Sequence, residues 1–397
     1  MHIEYLPIEI ISEIAKHLRA GPFDDEKMEE AENDGKAISL VCRRWSPIGQ
    51  ELCWETISFE PTSLRQLVDH FISFSHIPGL VHTLVQRSIE RADGGTGSDW
   101  AVKLPTLLSL TRNIRTIRID GDFGTMFLDL LKATSSLPFL ETLALFPTDS
   151  VSWNQEVDLI WEEGFESLKN FSIFIDQVDV PQSFPPVPKP PPRFLKRLEY
   201  IKIDTSILSG AEGSELFVQS LVSRVDPRSV EECDGCYYAV NRSFLSWVCE
   251  CTRLERLEIE VVDEDLHESL DRVVSYLPDI KAEEIKFSTV DVSTDELSEG
   301  AIVTLPLRRV LSSIPTRLRY IQAREIAFLD HESVPLAASS KEEEENKETE
   351  YVRFEALRWT PGGFRPISFQ KKLNGEDRWE KVFEKEKSWA EWDHIHP

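Results

Sequence analysis

Leu254-Glu255-Arg256-Leu257-Glu258-Ile259 is the stretch that decides how most of this chain is read. Its apolar residues stand at the first, fourth and sixth positions, which marks a short strand rather than a helical turn. The same pattern recurs at Ile114-Arg115-Thr116-Ile117-Arg118-Ile119, Leu140-Glu141-Thr142-Leu143-Ala144-Leu145, Leu168-Lys169-Asn170-Phe171-Ser172-Ile173 and Leu198-Glu199-Tyr200-Ile201-Lys202-Ile203. Counted between first residues the spacings are 26, 28, 30 and 56, the last close to two repeats, with a degenerate unit near Ser229 to Cys236. Weaker copies begin at Glu284, Leu318 and Phe354.

Between these strands the sequence predicts helices over Met126–Ser135, Gln155–Glu163, Glu215–Arg224, Ser243–Cys251, Leu266–Tyr276 and Leu305–Ser313. Strand and helix alternating at a near-fixed period predict an α/β solenoid. Each strand joins a parallel sheet on one side, each helix covers the other, and neighbours share one core. A doubly wound sheet would give similar alternation, but no Gly-rich phosphate-binding pattern follows any of the strands. The repeats resemble an irregular leucine-rich-repeat array, although the Asn or Cys usual after each strand of that family is not consistently present.

Working toward the N-terminus, the character of the chain changes before residue 60. Pro7 suits a first helical turn, Glu9 lies near the positive end of a helix dipole, and Ile10, Ile11, Ile14 and Leu18 recur at three- and four-residue steps. A second helix is expected from Lys36 to Trp45, and Pro47 marks a break before a third from Ile48 to Trp54. Three short helices make a core of marginal size, so another surface is expected to cover part of it.

These residues resemble the F-box, whose pattern is a Leu-Pro-x-Glu-(Ile/Leu) opening, an aliphatic helix, a Val-Cys-(Arg/Lys)-x-Trp centre and a Leu-x-Trp close. The matches are Leu6, Pro7, Glu9, Ile10, Ile14 and Leu18, then Val41, Cys42, Arg43 and Trp45, then Leu52 and Trp54. The resemblance implies a small all-α bundle over 1–59 that docks onto the Skp-type adaptor of an SCF ubiquitin ligase, and through it a cullin. Residues 60–397, the repeat array, would then hold a protein target. Leu6, Pro7, Ile10, Ile14, Leu18, Val41, Cys42, Trp45, Leu52 and Trp54 are expected to make the adaptor contact or the packing beneath it. The chain departs from the family at Gly21–Gly35, where Asp24, Asp25, Glu26, Glu29, Glu30, Glu32 and Asp34 fill a place usually held by a short loop. The plainer alternative is a helix pair capping the end of the larger fold, its Leu, Ile and Trp serving only as core.

Composition bounds the function classes. The 397 residues, 41% of them hydrophobic, exceed one compact domain and fit a small domain beside a long one. The formal charge of −26 repels phosphate backbones and anionic lipid, so neither nucleic acid nor membrane is an expected partner. With no apolar run of bilayer length and too few cysteines for a disulfide scaffold, the expected place is the cytoplasm or nucleus.

Signals for chemistry are thin, and no catalytic residue, metal or cofactor is expected. Cys233-x-x-Cys236 with Cys249-x-Cys251 has four thiols, but the second pair falls at a helix end with its side chains toward different faces. Gly94-Gly95-Thr96-Gly97 lacks a Walker lysine, no His-Glu-x-x-His or Gly-x-Ser-x-Gly occurs, and adjacent acidic pairs such as Glu162-Glu163 do not share a face.

Two insertions stand out. Pro181–Pro192 holds seven prolines, with a Pro-x-x-Pro-x-basic run at Pro188–Arg193, and Lys341–Glu350 carries six Glu against two Lys. Near the end, Trp379 and Phe383 predict a helix that caps the array. Two further function classes are kept open: a stand-alone repeat scaffold with no ligase, and an enzyme whose site the sequence does not reveal.

Overall fold

A computed structural model describes residues 7–18, 25–86, 98–121, 127–147, 150–152, 157, 160–161, 164–175, 177–179, 195–205, 210–262, 266–290, 301–303, 307–315, 318–328, 351–360, 363–372 and 379–384. The chain is a mixed α/β protein that divides into two compact units, Met1–Pro186 and Val187–Pro397. Pro181–Pro192, Lys341–Glu350 and Gly94–Gly97 lie outside the described residues, as does Leu6.

The first unit opens with helices α1 (Ile8–His17), α2 (Asp25–Val41) and α3 (Ser46–Glu55). Strands β1 (Thr56–Phe59), β2 (Thr83–Gln86), β3 (Thr116–Gly121), β4 (Thr142–Pro147), β5 (Ser150–Ser152), β6 (Asn170–Ile175) and β7 (Gln177–Asp179) follow, with helices α4 (Leu64–Ser73), α5 (Ser98–Leu110) and α6 (Phe127–Ser135) between them. In the sheet the order β1-β2-β3-β4-β6 repeats chain order and neighbouring strands run parallel, while β5 and β7 pair only with each other.

The second unit alternates β8 (Tyr200–Thr205), α7 (Gly210–Val222), β9 (Glu232–Tyr237), α8 (Arg242–Glu250), β10 (Arg256–Val262), α9 (Leu266–Tyr276), β11 (Glu284–Val290), β12 (Ala301–Val303), α10 (Leu307–Ser313) and β13 (Tyr320–Phe328). It closes with β14 (Tyr351–Thr360), β15 (Gly363–Lys372) and β16 (Glu380–Glu384). Strands β8, β9, β10, β11, β13 and β14 are parallel neighbours in that order, and β12 pairs beside β13. Parallel strands require a crossover between them, and the intervening helices supply it.

The repeating hexapeptide explains the core. Its first apolar residue sits in the turn just before each strand, and its fourth and sixth point inward: Leu140, Leu143 and Leu145, or Leu254, Leu257 and Ile259, are all buried. One backbone carbonyl per repeat accepts two N–H groups from the next. In the first unit Arg115 and Thr116 donate to His82, Glu141 and Thr142 to Arg115, and Lys169 and Asn170 to Glu141. In the second, Glu231 and Glu232 donate to Glu199, Glu255 and Arg256 to Glu231, Glu283 and Glu284 to Glu255, and Arg319 and Tyr320 to Glu283. Each turn therefore stacks in register on its neighbour and leaves few polar groups unsatisfied in the sheet.

Several expectations need correction. Helix α2 begins at Asp25 rather than Lys36, because the acidic stretch expected as a connection is itself helical; it ends at Val41, four residues before Trp45. Strands β1 and β2 and helices α4 and α5 extend the pattern further toward the N-terminus than the repeats in the sequence indicate. The C-terminal helix expected around Trp379 and Phe383 is a strand instead. β16 pairs antiparallel with β15, which pairs antiparallel with β14, so the tail is held by sheet hydrogen bonds rather than by an amphipathic helix face.

Candidate functional site

The helices of the first unit are brought together by two glycines. A Cβ on Gly49 of α3 would fall 2.6 Å from the Gly35 carbonyl oxygen of α2 and against Ser39 as well, and one on Gly35 would fall 2.8 Å from Cys53 Sγ. The two backbones thus touch where they cross, which only glycine permits. Trp45, just before α3, and Leu52 within it are buried, as are Ile11 and Ala15 of α1.

Buried and exposed positions alternate around α1 and sort the candidate residues. Ile10 and Ile14 are 47% and 45% exposed while Ile11 between them is buried. On α2, Leu40 is 84% and Val41 43% exposed, and Pro7 and Ile8 also face solvent. Cys42 and Leu18 are half-buried. Trp54 turns elsewhere: its ring stacks on His70 of α4 at 5.5 Å and meets Phe71 edge-on at 6.4 Å, so it joins α3 to the next helix. Trp45, Leu52 and Trp54 are accordingly packing residues, and Pro7, Ile10, Ile14 and Val41 are available to a partner. Ile8 and Leu40 belong with the exposed set although the motif does not single them out. Isolated surface apolars are ordinary, and six of them fall within the first 41 residues here.

On the outward face of the second sheet the register aligns Lys202, Asp234, Glu258 and Lys286, beside a row of Tyr200, Glu232, Arg256, Glu284 and Tyr320. Arg256 reaches Glu232 at 3.5 Å and Glu284 at 3.8 Å, and Tyr200 Oη donates to Asp234 Oδ2 at 2.7 Å. Burial lifts the Asp234 carboxyl above its ordinary range, and Glu258 and Glu232 add to that while Tyr200 and Lys202 oppose it. Burial disfavours the charge of Lys202, yet Cys236, Asp234, Asp204 and Glu260 together outweigh it and hold the ammonium more firmly protonated. This is a self-contained ion network.

The cysteines sit in the core and at its edge rather than around a common open site. Cys233 and Cys251 are in the core, Cys251 Sγ donating to the Trp247 carbonyl at 3.6 Å, while Cys249 Sγ lies 4.0 Å from the Tyr276 carbonyl. Burial raises the Cys236 thiol well above its ordinary range, with Asp204 adding to the effect, so it is a thiol and not a thiolate at neutral pH. Among the described residues no group of three or more His, Cys, Asp or Glu side chains is placed to hold a metal ion, and no helix is long and apolar enough to cross a membrane. Compared with protein-family models and with curated proteins, the chain matches none.

Proposed function

We propose that this chain is the substrate-recognition subunit of an SCF-type ubiquitin ligase. Its first three helices dock on a Skp-type adaptor, and through it a cullin, while a leucine-rich-repeat-like solenoid holds a protein target. The observation that carries this reading is the exposure of Ile10, Ile14, Leu40 and Val41 on helices whose sequence follows the order of the F-box pattern. Covering one half-exposed isoleucine is worth about 1 kcal/mol, so four to six such residues suffice to anchor a partner helix. The buried Trp45 and Leu52 hold that face in shape rather than touch the partner.

The mechanism is proximity. A subunit that tethers a target near a ubiquitin-charged enzyme raises the effective concentration of its lysines at the thioester, with no catalytic group of its own. Co-expression with an adaptor subunit and size-exclusion chromatography test this. A 1:1 complex is expected for the wild type and is lost in Ile10→Glu/Ile14→Glu and in Leu6→Ala/Pro7→Ala. Well-folded wild type that stays free of adaptor would sink the reading and leave the stand-alone scaffold in its place.

A further inference from the structure

The corner between α2 and α3 joins two kinds of exposed surface. Leu40, 84% exposed, is the most exposed large apolar side chain among the described residues, and Ala37 and Val41 of the same helix also face solvent. Residues 37, 40 and 41 stand three and four apart and so share one face of α2. That face runs into a tight turn. The Cys42 carbonyl accepts from Trp45 N and from Ser46 N, both at 3.1 Å, and Arg43 and Arg44 are the residues in between. Trp45, next in the chain, is buried and anchors the turn, while both arginines are exposed.

Charge sets this corner apart from the helix that leads to it. Over residues 25–34 α2 carries Asp25, Glu26, Glu29, Glu30, Glu32 and Asp34 against Lys27 alone, whereas residues 35–50 hold Lys36, Arg43 and Arg44 and no acidic side chain. Arg253 and Arg319 of the second unit are paired with Glu231 and Glu283, but Arg43 and Arg44 make no ion pair among the described residues. A guanidinium only donates, and its strong bonds are to carboxylate or phosphate, so what covers Leu40 and Val41 has to carry anionic acceptors beside its apolar part. A phosphate backbone or an anionic lipid surface is broad enough to meet the acidic half of α2 as well, and is repelled by it in a chain of net charge −26. A folded protein surface can place its carboxylates at the corner alone.

We propose that the surface seated on this corner is acidic: the adaptor covers Leu40 and Val41 with apolar side chains and meets Arg43 and Arg44 with carboxylates at the rim of the contact. This rests on the adaptor reading above and adds to it the charge of the partner's surface and the two residues that recognise it. Rim charges act on the association rate and its salt dependence more than on dissociation. Here they supply a local attraction inside the repulsive field of the whole chain.

The test is the binding kinetics of the full-length chain with a purified Skp-type adaptor subunit, at low salt and at about 1 M salt, where the screening length is about 3 Å. Arg43→Gln/Arg44→Gln is expected to slow association about tenfold at low salt and to change dissociation by less than about threefold. Arg43→Lys/Arg44→Lys, which keeps the charge, is expected to lose less, and the gap between the Gln variant and wild type is expected to close in high salt. Thermal unfolding midpoints equal to wild type separate a contact from a structural role. Equal association of the Gln variant and wild type at low salt, with the adaptor still captured, overturns the proposal and leaves adaptor docking intact. Wild type that captures no adaptor overturns both. A free chain that runs as a dimer, and as a monomer once Arg43 and Arg44 are changed to Gln, assigns the corner to the acidic α2 of a second copy and likewise overturns the proposal.

Discussion

Gly49 of α3 rests directly on the backbone of α2 opposite Gly35, with no room for a methyl group on either residue. This contact fixes how closely α2, which ends at Leu40 and Val41, packs on α3.

Gly49→Ala is therefore expected to destabilise the N-terminal helices by about 2 kcal/mol, as overpacking against rigid backbone does, despite alanine's better helix propensity. Hydrogen exchange of α2 and α3 amides reads this. Unchanged protection would show that the crossing relaxes at no cost.

Ile10→Glu and Leu40→Glu alter exposed side chains and are expected to change stability by no more than about 0.5 kcal/mol while abolishing adaptor capture. Trp45→Ala empties a buried site and is expected to cost about 3–5 kcal/mol. Thermal unfolding beside adaptor pull-down separates the two classes. Equal loss of stability in all three variants would contradict the division between contact and packing residues.

Asp234 provides a pH signature. Its folded carboxyl is raised above the ordinary value of 3.8 by burial, so between the unfolded and folded values the native state binds more protons than the unfolded chain. Stability from this group therefore falls as pH rises through that window, the reverse of an ion-paired carboxylate. Asp234→Asn, whose amide oxygen still accepts from Tyr200, is expected to equal or exceed the wild type at pH 7 and to lose that advantage near pH 4. Urea midpoints at the two pH values decide it, and an Asn variant weaker at pH 7 than at pH 4, relative to wild type, would refute the sign.

Trp379 ties the C-terminal strands to the helical layer: it is buried and its Nε1 donates to the Leu311 carbonyl at 3.2 Å. Trp379→Phe keeps most of the apolar volume and removes the donor, with an expected cost of about 1 kcal/mol, since the Leu311 carbonyl still accepts from the Ile314 N–H at 3.4 Å. Faster proteolysis within residues 363–384 is the readout. A cleavage rate equal to wild type would mean the hydrogen bond does not hold the tail.

Much of this molecule is legible in one dimension. The hexapeptide beginning at Leu254 declares its strand because its inward residues recur at a spacing that is local, and helix α9 lies over the predicted Leu266–Tyr276 for the same reason. The acidic residues before Gly35 did not announce a helix, since their charges favour solvent, and it is contact of α2 with α3 that stabilises the helix there. Trp379 and Phe383 have helical spacing, yet pairing with β15 over Ile367–Gln370 prevails, because backbone hydrogen bonds to a distant strand carry no mark in the sequence of β16.

The same division holds for the candidate sites. Sequence alone determined which residues belong to the N-terminal motif and that strands alternate with helices, since order and periodicity are properties of the chain. Only tertiary structure decided that Ile10 faces out while Trp45 faces in, that Trp54 is spent on His70, and that Arg43 and Arg44 stay exposed at the turn between α2 and α3. Exposure and convergence depend on what other segments cover, and a linear sequence does not record which those are.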